Sequence, residues 1–130
     1  LTQFGLVWVQ KQGSAERVVN ALRKLSSRGK ARDIMKLAAG IPGDRTIFVV
    51  SVLLHSMRLH REDPEVVRCA LRSVVIIFQE GAHFRIIFCD MGGIQLLVEI
   101  VKCYESRLRV QALFLLYLIC DLSEEASEDF

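Results

Sequence analysis

The stretch Glu62–Gly81, EDPEVVRCALRSVVIIFQEG, decides the fold. Read locally, its opening is a helix start: Asp63 stands where a side-chain acceptor can cap free backbone N–H groups. Pro64 follows where a missing N–H is harmless, and Glu65 falls in the positively polarised first turn. Val67, Ala70, Leu71, Val74, Val75 and Phe78 then recur at helical spacing. Gly81 is expected to close the helix. The β-branched runs VVIIF here and TIFVVSV at 46–52 compete as strands, but the cap and the stripe decide for helix.

The same grammar extends in both directions. Ser14 is placed to cap AERVVNALRKLSS, with Ala15, Val18, Val19, Leu22 and Leu25 on one stripe and Gly29 suited to a left-handed end. A short helix is expected over 31–39, stopping at GIPG. Asp44 should cap a long helix with Ile47, Val50, Leu54 and Met57 on one face. After Gly81 the order repeats: a short helix AHFRIIFCD, the pair Gly92-Gly93, the helix IQLLVEIVKCY, and a last helix from about Ser106 to Asp121. The triplet Ala-Leu-Arg occurs at 21–23 and 70–72, and Ala-Leu-Phe at 112–114. Ala70 and Ala112 are 42 residues apart, within the period of a helical repeat, whereas Ala21 and Ala70 are 49 apart. The expected architecture is all-α and repetitive.

The 130 residues are enough for one modest core. A hydrophobic fraction of 52% with a mean hydropathy of +0.32 is high for a self-contained domain. Together with the start on Leu1 and the acidic end, it reads as a piece of a longer repeat array. Apolar runs such as LFLLYLIC fall well short of the roughly 20 residues needed to cross a bilayer. Within these residues no basic segment precedes an apolar one in the manner of a signal peptide. Cys69, Cys89, Cys103 and Cys120 contain no C-x-x-C pair and are expected to be core thiols in a reducing, cytoplasmic compartment. Residues 1–60 carry ten Lys or Arg against three acids, and residues 61–130 carry seven against twelve. Residues 123–130 are expected to form a solvated acidic tail.

GGIQLLVEIVKCYESRLRVQALFLLYLICDLS, residues 92–123, resembles one armadillo repeat: a Gly-rich entry, a second helix of the I-x-x-L-V-x-I-V kind and a third of the V-Q-A-L-(aromatic)-x-L kind. EDPEVVRCALRSVV resembles the third helix of the repeat before it. HEAT repeats share the paired helices, and the short first helix with its Gly-Gly entry points to the armadillo kind. The resemblance implies a right-handed α-solenoid with about two full repeats, 30–81 and 82–122, after a partial repeat, 1–29. In that family the third helices line a concave groove. The positions matching the family's groove Trp are Arg23, Arg72 and Phe114, and those matching its Asn are Ser27, Ile76 and Leu118. Without the Asn that holds a peptide backbone, and with two arginines in place of Trp, the groove is expected to suit an acidic or phosphorylated protein segment. In the competing reading, Arg23 and Arg72 lay their methylenes over apolar neighbours and keep their charge in water.

The functional expectation is a non-enzymatic protein-binding scaffold with no cofactor. Gly92-Gly93 lacks the lysine and spacing of a phosphate loop. His55, His60 and His83 do not form a metal set with Cys89, and no nucleophile–base pair is apparent. The alternative is nucleic-acid or anionic-membrane binding by the basic segment 17–36, which holds Arg17, Arg23, Lys24, Arg28, Lys30, Arg32 and Lys36. Self-association is also expected, through an apolar end bearing Phe4, Val7 and Trp8, with a second apolar end formed by Leu115, Leu116, Leu118 and Ile119.

Overall fold

In a computed structural model, the backbone is described for residues 2–27, 45–79, 81–105 and 107–128, and the side chains for 5–23, 47–79, 81–105 and 107–121. Among the described residues the chain is all-helical: α1 (Thr2–Gln12), α2 (Ala15–Ser27), α3 (Arg45–Leu59), α4 (Pro64–Phe78), α5 (Ala82–Asp90), α6 (Gly93–Cys103) and α7 (Arg107–Glu128). Both β-branched runs are helical. The short helix expected over 31–39, the Asp44 cap and Gly29 lie outside the described residues.

The helices pack in two rows. In one, α3 lies between α1 and α6; in the other, α4 lies between α2 and α7. Neighbours across the rows, α1 with α2, α3 with α4 and α6 with α7, are in contact, and α5 packs on α3, α4 and α6. This placement makes α3 the centre of the molecule. Phe48, Val49, Val50, Val52, Leu53, Leu54 and Met57 are all buried, as are Ser51 and Ser56. The expected one-sided stripe is therefore a helix covered on every side, as its apolar content around the whole circumference requires. Its buried serine hydroxyls need partners; Ser56 donates to the Val52 carbonyl at 2.7 Å, and Ser73 of α4 does the same to Cys69 at 3.0 Å.

The start of α4 follows its sequence closely. Asp63 Oδ1 accepts from the backbone N–H groups of Glu65 at 3.0 Å and Val66 at 3.4 Å, with Pro64 at the first helical position. Ser14 Oγ likewise accepts from Arg17 N–H at the start of α2. The end of α4 differs from expectation. Gln79 caps it in a right-handed conformation, and Gly81, with φ 164°, is extended backbone opening α5. The half-buried Arg85 of α5 helps to close α4 instead, donating to the Phe78 carbonyl at 3.4 Å with its guanidinium 5.8 Å from the Phe78 ring centre.

Two glycines fix helix positions by different means. Gly92 precedes α6 with φ +86°, in the left-handed region where a side chain is strained. Gly5 lets α1 and α3 touch: a Cβ there would lie 2.1 Å from Ser51 Oγ and 2.8 Å from the Val52 backbone nitrogen. At the far end, α7 runs on to Glu128, so the segment expected as a tail from 123 is helical to that point. Glu and Ala are good helix formers and carry the helix on without an apolar stripe.

Candidate functional site

The site is built where the second row of helices meets solvent. Glu65, placed in the first turn of α4 by the Asp63 cap, receives two arginines. Arg23 reaches across from α2 to Glu65 Oε2 at 2.7 Å, and Arg68, three residues along α4, grips the same carboxylate through Nη2 at 2.8 Å and Nε at 3.2 Å. Hydrogen bonds from Arg68 first and Arg23 second hold the Glu65 carboxyl down at about 2. The same bond, with a smaller contribution from the Cys69 thiol, raises Arg23 above its ordinary value. Arg72, one turn beyond Arg68, is exposed and forms no ion pair with the described residues. Two guanidinium groups thus share one carboxylate on the α2–α4 surface, and a third, that of Arg72, stands one turn further along α4. The excess of positive charge is open to water.

Of the other groove positions, Phe114 is on α7, the next helix of the row, and is 48% exposed. Ile76 and Leu118 are half-buried and packed against the core. The side chains of Ser27 and Phe4 lie outside the described residues, as do those of Lys24, Arg28, Lys30, Arg32 and Lys36 in the basic segment. Within that segment Arg17 and Arg23 are described, and Arg23 is engaged by Glu65. At the other end, Val7 is exposed, whereas Trp8 is partly buried against the core with its carbonyl accepting from Gln12 Nε2.

α7 departs most from its sequence reading. Leu115 is fully buried and Ile119 nearly so, together with Leu108 and Ala112. They face the core and do not form the expected apolar end. Among the described residues of α7 the exposed large apolar groups are Val110, Leu113, Phe114 and Tyr117, which are 48 to 66% exposed. Ile94 and Val98 are exposed on α6, and Arg109 Nε ties the two helices by donating to the Val101 carbonyl at 2.9 Å. Cys69 is buried and Cys89 half-buried, its thiol pushed up by burial, but Cys103 and Cys120 are exposed rather than core residues.

Elsewhere the polar groups serve packing. An open depression lies along residues 58–64 at the α3–α4 turn. There Arg58 donates to the Met91 carbonyl at 2.8 Å, Arg61 pairs with Glu99, and the Tyr104 hydroxyl donates to the Arg61 carbonyl. These bonds tie the α3–α4 turn to α6. Among the described residues no three His, Cys, Asp or Glu side chains converge as a metal site would require, and no helix is long and apolar enough to cross a membrane. The Glu65 cluster was missed in the sequence because Arg23, which joins the local Glu65–Arg68 pair, lies 42 residues from Glu65. The outer stripe of α7 had a signal, the apolar spacing 110, 113, 117, which the stronger core stripe masked. Comparison with protein families, with curated proteins and with solved structures found no match.

Proposed function

We propose that this chain is a non-enzymatic protein-binding scaffold of the armadillo kind, an α-solenoid whose open row α2–α4–α7 takes an acidic or phosphorylated segment of another protein. The stacked helix pairs, and the short α5 and left-handed Gly92 that precede the last pair, support the repeat reading. The observation that carries the binding reading is the charge excess on the α2–α4 surface, where Arg23 and Arg68 share the carboxylate of Glu65 and Arg72, one turn further along α4, has no ion pair with a described residue. Glu65 fixes two of the guanidinium groups in place, and Arg72 beside them is left to grip a carboxylate or phosphate at two points.

An array of acidic, phosphorylated and basic peptides, probed with the wild-type chain and with Arg72→Glu, tests this reading. Acidic and phosphorylated peptides should be retained by the wild type and lost by the variant, with basic peptides bound by neither. Retention of acidic peptides by Arg72→Glu would overturn the assignment. Binding to single-stranded RNA or phosphatidylserine vesicles that collapses between about 50 and 200 mM salt would favour the basic segment 17–36 instead.

A further inference from the structure

One face of α7 carries a self-complementary sequence. Arg107, Val110, Leu113, Phe114, Tyr117 and Asp121 fall at intervals of three, three, one, three and four residues, which keeps them on one side of a helix with 3.6 residues per turn. The four apolar members are among the most exposed large hydrophobic groups of the described residues, while Leu108, Ala112, Leu115 and Ile119 occupy the opposite, buried side. α7 is therefore apolar on both sides, although α4 and α6 cover only one. Arg107 is exposed and Asp121 partly so, and neither forms an ion pair with another described residue. The stripe begins with a positive charge and ends with a negative one, and Phe114 stands midway between them.

We infer that this face binds the same face of a second copy of the chain, with the two α7 helices antiparallel about a twofold axis at Phe114. Antiparallel alignment about that residue sets Arg107 of each copy beside Asp121 of the other and Val110 beside Tyr117. Leu113 and Phe114 meet their own equivalents at the axis. The apolar groups meet in the centre and opposite charges meet at both ends, as an isologous interface between identical surfaces requires. A parallel alignment would instead set Arg107 against Arg107 and Asp121 against Asp121. Charge pattern thus selects both the occupant and its direction. The contact uses the outer stripe of α7 and leaves the arginine cluster on α2 and α4 free for the acidic segment. It rests on the reading of the chain as a scaffold.

Sedimentation velocity over a wide concentration range tests the seam. The wild type should form a dimer, and Leu113→Glu should abolish it while circular dichroism shows unchanged helix. Arg107→Glu and Asp121→Arg should each weaken the dimer about tenfold, because each sets two like-charged pairs against one another. The double variant carrying both reversals should recover the wild-type affinity, since the pairs are then exchanged rather than broken. A wild type that stays monomeric, a Leu113→Glu variant that still dimerises, or a double variant no better than the singles would overturn the inference. So would a stripe that takes a helix of another protein in preference to a second copy. A monomer that still binds acidic peptides through Arg72 would refute the seam alone; a dimer that ignores those peptides would refute the peptide-binding reading alone.

Discussion

Gly5→Ala should destabilise the protein, although alanine is the better helix former. In an open helix interior the exchange favours the helix by about 1 kcal/mol. Here the new Cβ would lie 2.1 Å from Ser51 Oγ, 2.6 Å from Ser51 Cβ and 2.8 Å from the Val52 nitrogen. A rotation of Ser51 relieves only the first of these contacts. The other two are fixed to the backbone of α3, so α1 must move off the central helix. Overpacking of this kind costs about 1–3 kcal/mol, and the loss of packing along α1 places Gly5→Ala toward the upper end. The net loss should be about 1–2 kcal/mol, or roughly 5 °C in the melting temperature of a chain this size. Thermal melts followed by circular dichroism would measure it, at matched protein concentration because association shifts the midpoint. A double-mutant cycle with Ser51→Gly makes the test specific. That substitution removes two of the three clashing atoms, so the double variant should lose less stability than the sum of the singles. An increase in stability for Gly5→Ala, or strict additivity with Ser51→Gly, would refute the close crossing of α1 and α3.

The Glu65 cluster predicts an acid limb. The carboxyl is held at about 2, below its ordinary value of 4.5, so its contribution is complete above about 4.5 and is lost as pH falls toward 2. In urea titrations Glu65→Gln should be less stable than the wild type at neutral pH, with the gap closing through that window; a constant gap would show that the pairing with Arg68 and Arg23 contributes nothing. Gly92→Ala should lose about 1–2 kcal/mol to its left-handed backbone, whereas Gly92→Asn, which tolerates that region, should lose less. Equal losses in the two variants would contradict the backbone origin of the effect.

Much of the fold was legible because its signals are local. Asp63, Pro64 and Glu65 announce α4 within three residues, and the observed cap uses Asp63 as its position suggested. Gly81 misled because glycine serves a left-handed helix end and an extended helix entry equally well. α3 offered no contrast between faces, so its periodicity gave a stripe where packing made a centre. α7 carries two interleaved apolar sets, and sequence does not say which of them neighbours will cover. The candidate site was less legible for the same reason. Arg23 and Arg72 were distinguishable as charges within apolar runs, but the carboxylate that engages Arg23 comes from another helix, 42 residues away, and shares α4 with Arg72 without pairing to it. Long-range pairing of that kind has no periodic signature.

Backbone amide shift mapping during titration with an acidic phosphopeptide tests the scaffold account most directly. It predicts saturable shifts centred on Arg68 and Arg72 of α4 and on the facing turn of α2 around Arg23, with loss of binding in Arg72→Glu. The absence of saturable shifts, or shifts confined to α1 and the α3–α4 turn, would contradict it.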